Sequence, residues 1–255
     1  MRHWRVWVLP ASATGLFAAI WLLDANRAVF VALNALGPAS GDWLWANITV
    51  LGDTVVAFAL CLPLWRRRPE ALWAFLFVAL LGTAWADGLK ALIDIDRPPG
   101  VLGDAVHVIG PAHKYHTFPS GHATAAFAIA GLYALGTGSR AVAATAVAIA
   151  TLVALSRVVV GVHWPLDVLA GAFGGWLAAA IALAIAHRTR AFGTKPAVQW
   201  LLALFLVGCA AWLVIGYPKS GYPQADLFQR AIGICCLGAA AARLKRAPAQ
   251  PAAAP

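Results

Sequence analysis

The stretch FPSGHATAAFAIAGLYALG, residues 118–136, changes character near its start. From Ala123 onward it is apolar enough to lie in hydrocarbon, yet it opens Pro-Ser-Gly-His, a polar corner for which membrane packing supplies no reason. The sequence on either side is of the same apolar kind. Of the 255 residues, 62% are hydrophobic and 11% charged, too few charges to cover a soluble domain of that length. A helix needs roughly 20 apolar residues to cross hydrocarbon. Residues 6–23, 43–65, 71–93, 117–138, 141–162, 168–186 and 197–218 each supply such a run. An eighth, 225–242, is interrupted by Arg230; its charge-free part, Ala231–Ala242, reads either as a short span with a snorkelling arginine or as an interfacial helix. The expected fold is all-α, a single polytopic membrane helix bundle.

The basic start MRHWR resembles a signal peptide, but 6–23 is long for a signal core and no small-residue cleavage site follows in DANRA, so a retained first helix is expected. The net charge of +9 reflects loop asymmetry and not a nucleic-acid partner. Alternating eight spans from a cytoplasmic N-terminus places 12 of the 19 Lys and Arg residues inside, among them Arg2, Arg5, Arg66, Arg67, Arg68, Lys245 and Arg246, and 7 outside. Cys61, Cys209, Cys235 and Cys236 all fall in apolar runs, so they are expected to be buried, without a disulfide and without a metal. The first connector, NRAVFVALNALGPASGD, is amphipathic enough to lie along the outer interface. The loop 94–118 is long and polar, and it runs straight into the quoted corner.

The alternation places the odd polar residues at one end of the bundle. Lys90, Arg97 and Pro98 end span three, Ser120, Gly121 and His122 open span four, Ser156 and Arg157 close span five, and His163 and Asp167 straddle the turn into span six. Charged residues at such depth are costly and usually mark function. Lys90, Arg97 and Arg157 together make an anion site, since guanidinium forks match phosphate oxygens and an ammonium adds a point charge. The N-terminus of span four adds free N–H groups, Gly121 permits close backbone approach, and Ser120 offers a hydroxyl. The polar corner therefore reads as a phosphate cradle. Asp167, four residues after His163, suits a carboxylate that orients an attacking imidazole, and His122 suits a proton donor to the leaving group that later activates water. The reaction class this spells is phosphoryl transfer. A zinc site drawn from His107, His113, His116, His122 and His163 is the alternative; three converging cations and the lack of compact ligand spacing weigh against it, so no metal and no cofactor is expected.

KALIDIDRP (Lys90, Arg97, Pro98), PSGH (Pro119–His122) and SRVVVGVHWPLD (Ser156, Arg157, His163, Asp167) resemble the three signature motifs of the type-2 phosphatidic acid phosphatase superfamily. That resemblance implies a phosphohistidine on His163 with Asp167 orienting it, and His122 as acid and then base. It implies phosphoryl oxygens held by Lys90, Arg97, Ser120, Gly121 and Arg157, with no metal. It further implies a six-helix phosphatase core over 1–187, leaving 188–243 as about two additional C-terminal transmembrane helices; the Pro/Ala-rich composition of 244–255 reads as a disordered tail. The expected enzyme is an integral phosphatase of the inner membrane with its site at the outer leaflet, acting on a lipid phosphate or diphosphate. Undecaprenyl diphosphate is the first candidate, ahead of phosphatidylglycerol phosphate, phosphatidate and lipid A phosphate. The sequence is silent on oligomeric state.

Other polar residues read more plainly. Asp87 and Asp94 lie on the helical face of Lys90, so Lys90 could be a structural ion-pair member; given the full motif, phosphate contact is favoured, with Asp94 tempering its charge. Asp53, inside span two, reads equally as a buried partner of a site cation or as an interfacial acid. His113, Lys114 and His116 read as solvated loop residues, with contact to a headgroup or a second phosphate as the alternative. GAFGG, residues 171–175, reads as close helix packing.

Overall fold

A computed structural model describes residues 4–244; Arg2, Lys245 and Arg246 and the tail beyond Leu244 lie outside them. The described residues form thirteen α-helices with short 3-10 turns and no strand. In chain order they are α1 (Trp4–Leu22), α2 (Asn26–Asn34), α3 (Leu36–Ser40), α4 (Asp42–Thr49), α5 (Thr54–Ala59), α6 (Pro69–Leu92), α7 (Pro98–Leu102), α8 (Gly121–Gly136), α9 (Arg140–Val159), α10 (Pro165–Arg188), α11 (Arg190–Gly193), α12 (Pro196–Ile215) and α13 (Asp226–Leu244). Five helical segments are long and apolar enough to cross a membrane, and two bent pairs raise the number to as many as seven. The 16-residue α8 is a shorter apolar helix at the centre, packed against α6, α9 and α10. The chain is a multi-pass membrane protein with an all-helical bundle.

Two features shape the end of the bundle that carries the motifs. Helices Asn26–Ser40 turn 106° away from Val6–Leu22, which suits the connector expected to lie along the interface. The second expected span is not the continuous helix that hydropathy suggests: Asp42–Gly52 and Thr54–Leu64 meet at 60°. The cause is Asp53. Its backbone is extended (φ −66°, ψ 141°) and its carboxylate accepts the Val55 N–H at 2.8 Å, capping α5. Asp53 makes no direct ion pair with a site cation; it is a buried helix cap that also accepts the Tyr217 hydroxyl at 3.4 Å. The break lets the chain press against α8, since a Cβ on Gly52 would lie 2.9 Å from the His122 Cβ.

The GAFGG run packs helices as its composition suggests. A Cβ on Gly171 would lie 2.7 Å from the Ser120 carbonyl oxygen, one on Gly174 2.0 Å from Trp85 Nε1, and one on Gly175 2.2 Å from the Thr124 carbonyl oxygen. Lipid tails are as apolar as leucine, so backbone approach over small residues replaces the hydrophobic effect as the glue between spans. This contact fixes the start of α8 against the start of α10, where Ser120 N–H donates to the Asp167 carbonyl at 3.0 Å.

At the opposite end, Arg68 donates to the Thr137 carbonyl at 3.0 Å, Arg66 to the Arg243 carbonyl at 3.1 Å, and His187 meets Glu70 at 2.9 Å, so the arginine-rich loop gathers with the ends of α8, α10 and α13. Of the cysteines, Cys61, Cys209 and Cys236 are buried and free, whereas Cys235 is exposed on the outside of α13. Burial was expected for all four; a helix packed on one side only turns some of its apolar residues toward lipid, and Cys235 is one of them.

Candidate active site

The quoted corner sits where α8 begins. Ser120 is the N-cap (φ −72°, ψ 115°), fully buried, and its Oγ accepts from the Ala123 N–H at 3.4 Å. The first N–H groups of a helix have no partner within it, and they point out of its start. A Cβ on Gly121 would come within 3.4 Å of the Lys90 ammonium, so any side chain there would project into the space the lysine faces. Lys90 pairs with Asp87 at 3.3 Å; Asp94, expected on the same lysine, pairs with His116 at 3.4 Å instead. The reason is local: α6 ends at Leu92, so Asp94 leaves the helical face on which the i+4 spacing would have placed it.

His163 and Asp167 are buried in the turn between α9 and α10. Asp167 Oδ2 accepts the Trp164 N–H at 2.7 Å and also the Thr117 hydroxyl. His163 Nδ1 faces that same Oδ2 at 3.3 Å and Thr117 Oγ1 at 3.2 Å. Because the Thr117 proton goes to the carboxylate, its oxygen is an acceptor toward the ring. Both neighbours of Nδ1 therefore accept, which places the imidazole proton on Nδ1 and leaves Nε2 unprotonated, an acceptor toward Arg97. Arg97 Nη1 lies 3.3 Å from that Nε2. Burial first, then the charges of Arg97 and Arg157, with smaller contributions from His122 and Lys90, hold the His163 imidazole well below its ordinary range, so at neutral pH it is an uncharged base.

The two guanidiniums are fixed by neutral oxygens. Arg97 donates to the backbone carbonyls of Tyr115 at 2.9 Å and Val162 at 3.1 Å. Burial and the neighbouring Arg157 lower it to about 10, still cationic at neutral pH. Arg157 is almost fully buried, and its Nη1 donates to Thr49 Oγ1 at 2.6 Å and the Tyr222 oxygen at 3.0 Å. Its Nε is buried with no hydrogen-bond partner. Among the described residues neither Arg97 nor Arg157 ion-pairs with a carboxylate. A buried guanidinium without an acid is expensive to keep unless an anion joins it. Ser156, by contrast, spends its hydroxyl on the Val153 carbonyl at 2.6 Å and faces its own helix.

The geometry thus gathers Lys90, Arg97, Ser120, Gly121, His122, Arg157, His163 and Asp167 at one end of the bundle. Lys114 and His116 are exposed loop residues, as read from the sequence. His113 is also on the surface, where partial burial and the charges of Arg97 and Arg157 push it below its ordinary range. Sequence reading missed Thr117, Thr49 and Tyr222. Thr117 carried a weak signal, a hydroxyl just ahead of the Pro-Ser-Gly-His corner; the other two come from distant segments and carried none. Among the described residues no three His, Cys, Asp or Glu side chains cluster as a metal site.

A buried, carboxylate-oriented histidine thus faces two guanidiniums that no carboxylate pairs, on a helical membrane scaffold, and similarity to known proteins gives that arrangement a family. The PAP2 superfamily model matches residues 71–191, which contain all three motifs. Lipid A 1-phosphatase of Rhizobium etli is 40% identical over 141 residues, 51% of this chain and 60% of that protein, so the chain spans less than two thirds of that relative. YbjG of Escherichia coli K12, provisionally named an undecaprenyl-diphosphatase, is 30% identical over 61% of this chain and 80% of its own length. The crystal structure of Aquifex aeolicus LpxE superposes with a TM-score of 0.57 at 30% identity, covering 62% of this chain and 94% of that one. The chain belongs to the PAP2 superfamily.

Proposed function

We propose that the chain is a lipid phosphate phosphatase working through a phosphohistidine on His163, with undecaprenyl diphosphate as the first candidate substrate. The observation that carries this is the His163 ring, with Nδ1 held by Asp167 and Thr117 and Nε2 directed at Arg97. Nε2 attacks phosphorus as the bond to the leaving oxygen breaks, and His122 gives that oxygen its proton. The neutral His122 then takes a proton from water, the resulting hydroxide attacks the phosphohistidine, and inorganic phosphate leaves with the His163 ring restored. Lys90, Arg97, Arg157 and the first N–H groups of α8 offset the charge that grows on the equatorial oxygens. Residues 1–187 supply this machinery, and 188–243 form the C-terminal pair. Lipid A 1-phosphate is the second reading, favoured by the Rhizobium relative. Phosphate release from a panel of lipid phosphates and diphosphates decides between them, and an added acceptor lipid separates hydrolysis from phosphoryl transfer to another lipid. A protein inactive on the whole panel would be a lipid-binding relative instead.

Since three side-chain cations and helix N–H groups supply the positive charge, activity is expected to persist in EDTA and to be blocked by vanadate, which takes up the five-coordinate geometry of the transition state. Loss on chelation with recovery on adding zinc or magnesium would contradict this mechanism.

The outward orientation follows from the arginine-rich loop. Arg66, Arg67 and Arg68 sit at the end opposite His163, and clustered Lys/Arg favours the cytoplasm. The site then opens at the outer leaflet of the inner membrane. A cysteine at Lys114 is expected to react with a membrane-impermeant thiol reagent in intact spheroplasts, and one at Arg67 to react only after permeabilisation. The reverse pattern would place the substrate pool in the inner leaflet.

A further inference from the structure

The C-terminal helices lie outside the family match, which ends at residue 191, yet their outer turn reaches the phosphate site. Between α12 and α13 the chain runs through two 3-10 turns, Pro218–Ser220 and Pro223–Ala225. Tyr222, between them, is 3% exposed. Its ring lies against Gly110, where a Cβ would come within 2.5 Å of Cε1, and Gly221 beside it closes on Pro111, where a Cβ would come within 2.3 Å of Cγ. Tyr222 shares an apolar cluster with Trp45, Val50, Ile109 and Val160, drawn from α4, the active-site loop and the end of α9. The turn is therefore wedged into the segment that carries the motifs, and Ser220 braces it by accepting from Gln229 at 3.2 Å.

At the tip of the ring the phenol oxygen accepts from Arg157 Nη1 at 3.0 Å, opposite Thr49 Oγ1 at 2.6 Å on the same nitrogen. Both acceptors are neutral. A carboxylate in either place would fix the guanidinium equally well but cancel the charge that an incoming phosphate needs. Two neutral oxygens set the fork's direction and leave its full positive charge available. We infer that Tyr222 is a positioning residue of the phosphate site, and that the C-terminal helix pair serves to deliver it. This rests on the phosphoryl chemistry proposed above, and the test is chosen to separate the two.

The probe is vanadate, with its binding to the purified full chain in detergent read by thermal stabilisation, so that no turnover is needed. Tyr222→Phe keeps the ring against Gly110 and removes only the oxygen. It is expected to weaken vanadate binding about tenfold or more, the usual scale for a hydrogen bond to a charged group, with the melting temperature of the free protein held. In an Arg157→Ala background the same change is expected to do nothing further. Unaltered vanadate affinity, or a lower melting temperature with affinity unaltered, would assign the turn a purely structural role and overturn the inference. An equal loss in both backgrounds would overturn it too, since Tyr222 would then act without Arg157. Wild-type protein that binds vanadate but hydrolyses no lipid phosphate would count against the proposed function and leave the Tyr222 result standing.

Discussion

His163→Ala is expected to lower turnover on the order of 10⁴-fold or more on every substrate, the scale on which loss of a catalytic nucleophile falls. Its Nε2 is the one nitrogen in the turn with a lone pair toward the cations, because Nδ1 is committed to Asp167 and Thr117. Alanine leaves Arg97 and Arg157 in place, so vanadate or phosphate should still bind while chemistry stops. A water molecule in the vacated space has no held orientation and no imidazole basicity, so no substrate with a better leaving group should escape the loss. A variant retaining a tenth of wild-type activity would remove His163 from the role of nucleophile.

His122→Ala is expected to fail selectively. His122 occupies the first turn of α8, next to Gly121 and on the side of the cleft that also holds Lys90. Its removal spares the nucleophile but takes away the proton donor, a contribution of about 10² to 10⁴ for a poor leaving group. An alkoxide departing from a lipid monophosphate needs that proton; an activated phenolate does not. The first step on an aryl phosphate small enough to enter should therefore proceed close to the wild-type rate, while the lipid monophosphate loses the full factor. The second step still lacks a base to activate water, so the phosphoenzyme should accumulate. If the aryl ester rescued His163→Ala and not His122→Ala, the two histidines would exchange roles.

Much of this architecture is legible in the chain because the membrane imposes a coarse rule. Apolar runs near 20 residues mark helices, and Lys90, Arg97, His122, Arg157 and His163 fall at the ends of those runs on one side, so their convergence follows from alternation alone. What hydropathy does not carry is the detail made by single polar groups. Asp53 sits in a run apolar enough to cross, and only its extended backbone and its bond to the Val55 N–H show that it breaks the span. Asp94 was misplaced because the spacing rule assumes a helix that has already ended at Leu92. Thr49 and Tyr222 are 108 and 65 residues from Arg157, and no local pattern could pair them with it. Cys235 belongs to an apolar run whose lipid-facing side only the packing of α13 reveals.

The central claim is a covalent bond between phosphorus and His163, and a rapid-quench experiment on His122→Ala with an activated aryl phosphate, radiolabelled at phosphorus, tests it most directly. The account predicts a protein-bound label that survives alkali, is released by acid as expected of a phosphoramidate, maps to the peptide containing His163, and is absent from the His122→Ala, His163→Ala double variant. Product release with no bound label at any quench time, or a label mapping to another residue, would contradict it.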